Sequence, residues 1–237
     1  MSEYAKRFDT VEIDATFYRI PSAAQVRSWA AKTPAGFRIA AKVPQVITHE
    51  KLLVKCEDEV KAFLGVMDEL GDRLGPLLFQ FPHFRRDAFA SVGAFLDRLR
   101  PFLDTLPAGQ SFALEVRNKE WVGEPLLSLL RERRIAYALI DYPLMPPVED
   151  LIEKQDVVTA DFAYVRWLGD RKGIEARTVR WDKLIVDRAA EMDRWTPALV
   201  ALLERRIEVF GYFNNHYAGH APGSIELLRD TWRRRMG

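Results

Sequence analysis

Glu12 and Asp14 stand two residues apart in the segment Thr10–Phe17, a spacing that puts both carboxylates on one face of an extended chain. Such a pair can bind a divalent cation or divide into a general acid and a general base, and Glu115 and Asp141 can add carboxylates from other segments. Lys42, Arg117 and Arg166 bring the opposite charge to the same kind of position. Aimed at one cavity, they suit a phosphate or carboxylate, because guanidinium groups present fork-like donors. Charges of both signs in one place also neutralise one another; for Glu12 and Glu115 that reading weighs the same as catalysis, and for Asp14 it weighs more. Gln80, Asn214 and Asn215 then orient a polar ligand, or bond loop backbone.

His49, with Thr48 beside it, is placed as an acid, a base or a ligand contact. His216 and His220 are four apart, but Gly219 and Pro222 predict a loop rather than the helical metal-binding pair, and His83 beside Pro82 reads as structural. Tyr18, Phe81, Trp121 and Trp167 are candidates for an aromatic wall against a ligand, or for packing loops onto the fold. Cys56 precedes Glu57, Asp58 and Glu59, surroundings that disfavour a thiolate, and no serine stands in a nucleophile elbow. As the single cysteine it excludes an internal disulfide and any multi-cysteine metal site. No metal is expected at the site, and the residues point to no particular cofactor.

The elements that must position these groups follow from periodicity. Short apolar runs predict seven strands, Thr10–Phe17, Phe37–Val43, Leu77–Phe81, Phe112–Arg117, Ala136–Asp141, Ala163–Leu168 and Glu208–Asn214. Between them helix-period stretches run Ala23–Lys32, Asp58–Leu70, Asp87–Arg100, Glu124–Arg133, Val179–Arg205 with a break near Pro197, and Gly223–Arg235. Ser22 is placed to cap the first, Gly71 to follow the second, and Pro101 to end the third. Tyr142–Thr159, with Pro143, Pro146 and Pro147, reads as loop around a short amphipathic piece at Val148–Ile152.

Strand–helix alternation without a linker implies parallel crossovers and one domain over residues 1–237. Neither a G-x-G-x-x-G nor a G-x-x-x-x-G-K-[ST] stretch occurs, which disfavours a nucleotide-binding open sheet. In each strand one alternate set turns polar at its C-terminal end: Glu12 and Asp14, Lys42, Gln80, Glu115 and Arg117, Asp141, Arg166, and Asn214. The other set, including Val11, Ile39, Phe79, Leu114, Ile140, Val165 and Phe213, stays apolar. Inward side chains at the mouth of a TIM-type (β/α) barrel have this pattern.

At these same residues the sequence resembles the YecE-like proteins, the domain-of-unknown-function family number seventy-two. The resemblance rests on Phe8-Asp-Thr-Val-Glu-Ile-Asp-Ala-Thr-Phe-Tyr18, on Trp29 with Thr33-Pro34 and Gly36-Phe37, and on Lys42-Val-Pro44 leading to Thr48-His49. It continues through Leu74-Gly-Pro-Leu-Leu-Phe-Gln-Phe-Pro82, Glu115-Val-Arg117 with Trp121, Tyr164-Val-Arg166, and Tyr212-Phe-Asn-Asn215 with Gly219 and Ala221. The resemblance implies a barrel with polar residues at its mouth, in a family whose activity is unassigned. It also implies a further N-terminal strand, with a Gly-Thr-Ser-Gly-Trp-like motif, ahead of Glu3-Tyr4. Seven strands are expected here instead, from a trimmed start or from a barrel lacking that strand, with Thr10–Phe17 at a sheet edge.

Lys and Arg total 35 against 34 Asp and Glu, so no global charge draws the chain to nucleic acid or to an acidic membrane. The basic run Arg229, Arg233, Arg234, Arg235 reads as a solvated helix end. No apolar stretch approaches membrane-spanning length and none resembles a signal peptide, so a cytoplasmic protein is expected. The function these readings favour is a hydrolase or isomerase acting on an anionic or phosphorylated small molecule. Lys42, Arg117 and Arg166 bind it, with Tyr18, His49, Gln80, Asp141, Asn214 and Asn215 around it and Glu12 or Glu115 as acid and base. The alternative is a non-catalytic binding module that keeps the anion pocket.

Overall fold

Each of the seven apolar runs forms a strand in the computed structural model, which describes residues 1–237: β1 Thr10–Ile13, β2 Arg38–Lys42, β3 Leu74–Gln80, β4 Phe112–Glu115, β5 Ala136–Asp141, β6 Phe162–Trp167 and β7 Glu208–Phe213. The helices are α1 Ala23–Ala31, α2 Glu57–Met67, α3 Val92–Leu103, α4 Glu124–Glu132, α5 Val148–Lys154, α6 Arg171–Glu175, α7 Ala189–Glu204, α8 Asn215–Ala218 and α9 Ala221–Met236. The fold class is α/β, a TIM-type (β/α) barrel on seven parallel strands. The chain divides into two compact units, Met1–Arg117 and Asn118–Gly237.

In the N-terminal unit the strands lie in the order β1-β2-β3-β4, all parallel. β1 stands at one end of that order, with β2 as its strand neighbour, as expected for Thr10–Phe17. The chain leaves the strand early: Ala15–Phe17 is a 3-10 turn, fixed by the buried Thr16 hydroxyl, which donates to Ile13 O at 2.9 Å and to Lys42 O at 2.7 Å. Ser22 caps α1 by accepting from Gln25 N at 3.2 Å. The third helix starts at Val92, later than its expected Asp87, because Ser91 caps it by accepting from Ala94 N at 3.2 Å. It also continues through Pro101, whose position in the final turn limits the hydrogen bonding that the ring disrupts.

The C-terminal unit holds β5-β6-β7 in order, again parallel. The long helix expected over Val179–Arg205 forms only from Ala189, and it passes unbroken through Pro197. Met192, Trp195, Thr196, Ala198, Leu199 and Leu202 are buried along it, and burial of that face outweighs the bond the proline cannot make. Of two short helices, α6 occupies a segment left unassigned by periodicity and α8 one expected as loop, so His216 is helical while His220 caps α9 by accepting from Gly223 N at 3.2 Å. After β6 the chain turns at Gly169 (φ +68°), where a Cβ would lie 2.6 Å from His216 O. A left-handed backbone with no room for a side chain requires glycine there.

Register decides which side chains share a face, since directly paired residues of parallel strands point the same way. In the N-terminal unit Glu12 pairs with Ala40, Lys42 with Leu78 and Gln80 with Glu115, so Glu12, Lys42, Gln80 and Glu115 lie on one face, as the alternation predicted. In the C-terminal unit the expected grouping of Asp141 with Arg166 fails. Arg166 pairs with Ile140 and Tyr212, whereas Asp141 pairs with Trp167, itself opposite Phe213. Asp141 is therefore on the face of Trp167 and Phe213, and Ile140 changes places with it. The alternation misled because strand ends were aligned by polarity, one residue out of step with the ladder.

Candidate functional site

β2 and β4 carry the centre of the N-terminal site at their C-terminal ends. Glu115, at the last position of β4, is completely buried, and Arg117 Nε donates to its Oε1. Lys42, at the last position of β2, is 8% exposed, an extreme value for a lysine. Its ammonium lies 3.7 Å from the Phe17 ring centroid and 3.4 Å from Oδ1 of Asp14, which is exposed. A cation over an aromatic face recovers part of the hydration it loses on burial. Glu12 is half-buried on β1, on the same face. Gln80 is buried on β3, and its amide nitrogen donates to Phe81 O, which orients the amide through local backbone.

His49 lies after β2 on one π-helical turn, Val46–Glu50, closed by Lys51 N donating to Val46 O at 2.9 Å. Turns of this kind recur at functional sites. Leu52, Leu53 and Lys55 follow with left-handed backbones (φ 47°, 66° and 50°), a concentration of local strain beside the candidate groups. The His49 ring meets Phe17 edge-on at 4.9 Å, and its Nδ1 is 2.8 Å from Thr48 Oγ1. Burial, joined by the charges of Lys42 and Arg117 and opposed by the smaller pull of Glu115, lowers its pKa to about 4. The imidazole is therefore neutral at pH 7, and the local potential around it is positive.

Other expected contacts take different places. Tyr18 is 67% exposed, turned outward by the 3-10 turn, with its ring edge-on to Phe17. Phe81, Trp121 and Trp167 are buried, so the aromatic wall reduces to core packing around them: Phe81 meets Phe84 and Phe95, and Trp167 stacks on Phe213 at 4.2 Å. Phe17 and Thr16, which the sequence reading left unassigned, prove to be the residues that seat Lys42. The signal available was their position directly after the carboxylates of β1.

In the C-terminal unit Arg166 is buried in β6. Asn214 Oδ1 accepts from His216 N at 2.9 Å and Asn215 Oδ1 accepts from Ala221 N at 2.8 Å, so both amides brace the turns that start α8 and α9. His216 faces Glu175 at 3.1 Å. Asp141 accepts from Trp195 Nε1 at 2.8 Å and from the Tyr217 hydroxyl at 3.2 Å. Burial raises the pKa of Asp141 and, more strongly, that of Tyr217, which faces the carboxylate. Trp195 and Tyr217 were not singled out in the sequence, because only the fold brings them to Asp141. No group of three or more His, Cys, Asp or Glu is arranged to hold a metal ion.

The profile of the family described as "Protein of unknown function DUF72" matches residues 1–236. The UPF0759 protein YecE of Escherichia coli O157:H7 is 33% identical over 147 residues, 60% of this chain and 52% of that protein, so the match takes in about half of the relative's length. The UPF0759 protein YunF of Bacillus subtilis (strain 168) is 25% identical over 249 residues, covering 96% of this chain and 86% of its own. Among solved structures, a DUF72 family protein from Enterococcus faecalis V583 superposes with a TM-score of 0.72 at 22% identity, covering 98% of this chain and 92% of the other. One from Thermotoga maritima MSB8 superposes with a TM-score of 0.66 at 26% identity, covering 97% and 85%.

Proposed function

The chain belongs to the DUF72 family, and from that premise we propose that its N-terminal unit binds an anionic or phosphorylated small molecule and acts on it as a hydrolase or isomerase. The observation that carries this reading is the buried Lys42 ammonium, set on the face of Glu12 and Glu115, with Asp14 as an exposed partner at 3.4 Å. A solvated carboxylate at that distance is readily exchanged for a ligand oxyanion. Arg117 presents the second cation, positioned by Glu115. His49, neutral, donates or accepts a hydrogen bond without adding charge, the state in which an imidazole polarises a carbonyl or shuttles a proton. Glu12, half-buried and nearer to solvent than Glu115, is the acid or base.

The test is thermal unfolding with and without inorganic phosphate at fixed ionic strength. Phosphate should raise Tm in the wild type by mass action on the folded state and lose most of that effect in Lys42→Met and in Arg117→Ala. The absence of a phosphate-specific shift in the wild type retires the reading. A shift that survives Glu12→Gln, in a protein inactive towards a phosphomonoester panel, supports the binding module instead.

A further inference from the structure

We propose that a cavity in the C-terminal unit is a binding site for a small organic ammonium ion with an apolar body, taken up at Asp141 Oδ1. The cavity holds about 340 Å³ and opens beside the C-terminal ends of β5 and β6 and the start of α7, a size in the usual range for small-molecule sites.

Its charges are unequal. Asp141, Glu149, Asp170 and Glu191 face it against Arg188 and Arg194. Both guanidiniums are already engaged: Arg188 donates to Glu191 Oε1 at 2.8 Å and to Tyr217 O at 3.0 Å, and Arg194 Nε lies 3.2 Å from Glu149 Oε1. The cations of the wall are thus spent on two of the four carboxylates, and an anionic guest would have to break those pairs.

Asp141 differs from its neighbours. Both of its donors, the Trp195 indole and the Tyr217 hydroxyl, are neutral groups, and both bonds fall on Oδ2. Oδ1 is left to the cavity. The carboxylate is therefore oriented by neutral donors; the Arg188 charge, already paired with Glu191, acts on it more weakly than burial, which raises its pKa. A guest ammonium supplies the missing charge through a charge-assisted hydrogen bond. The rest of the wall suits an apolar body: Met145 and Val148 are buried side chains, Pro146 lies between them in sequence, and the Trp195 ring borders the carboxylate. A divalent metal is disfavoured, since no three ligating groups converge.

Benzylamine is a suitable probe, with benzyl alcohol, benzoate and magnesium chloride as controls, each titrated into the full chain by calorimetry. Benzylamine should bind, and the alcohol, the anion and the metal should not. Asp141→Asn should weaken binding about tenfold or more. Pro143→Trp, at an exposed position of the rim, adds bulk at the cavity mouth while keeping Asp141, and should abolish binding even if Asp141→Asn does not fold. Lys42→Met should leave benzylamine binding unchanged, which keeps this result separate from that of the anion site. The proposal falls if benzylamine does not bind, if benzyl alcohol or benzoate binds as well as it does, or if either cavity variant keeps wild-type affinity.

Discussion

His49 couples the candidate anion site to pH. The folded chain keeps it neutral down to about pH 4, whereas the unfolded chain protonates it near its ordinary value of 6.5. Below 6.5 the unfolded state takes up the extra proton, so this residue lowers stability as pH falls from about 6.5 to about 4 and has no such effect above that window. Urea unfolding of wild type and His49→Gln across this range should show a flatter acid limb in the variant; parallel limbs would mean that His49 is not held neutral. Phosphate bound near Lys42 and Arg117 should raise the imidazole pKa, a change visible by NMR. At this scale the sequence was informative about type and uninformative about partners. Lys42 and Glu115 drew attention because charged residues in apolar strands need a reason, and Arg117 because it follows Glu115 at the same parity just past β4. The Phe17 ring under Lys42, and Asp141 bound by Trp195 and Tyr217, join residues far apart in the chain, and periodicity does not register such contacts.

Helix ends carry the strain that sequence reading passed over. Arg134 and Arg206, directly after the last turns of α4 and α7, both adopt left-handed backbones (φ 54° and 58°), where glycine is the usual residue. Arg206→Gly relieves that conformation, and the extra freedom of glycine in the unfolded chain offsets part of the gain. A net stabilisation of roughly 0.5–1 kcal/mol is expected, seen as a small rise in Tm; a fall in Tm would show that the Arg206 side chain makes contacts worth more than the strain. Existence and type of the strands were readable, and β5 agrees with its expected range at both ends, because the run Ala136–Ile140 is apolar and Asp141 closes it. Boundaries were less so. Pro101 and Pro197 carry the sequence signature of helix breakers, yet tertiary burial holds both helices through them, and the short α6 and α8 carry too few residues to show a period.

For the chain as a whole, a net charge of +1 and ion pairs along the basic run of α9 leave little free positive charge for a phosphate backbone to recruit. In α9 Arg229 pairs with Glu226 at 2.9 Å, Arg233 with Asp230 at 2.7 Å, and Arg235 with Asp193 of α7 at 3.2 Å. A labelled duplex titrated at physiological salt should show no saturable binding, and a steep salt-dependent association would overturn this. Within each unit every strand pairs with its neighbours in sequence, β1-β2-β3-β4 and β5-β6-β7, so no ladder has to wait for a distant part of the chain. Such a pattern can be assembled in the order in which a ribosome delivers it, each new strand docking on one already in place. A lineage can likewise gain or lose a terminal strand–helix module by remaking a single ladder, with every other pairing left as it was.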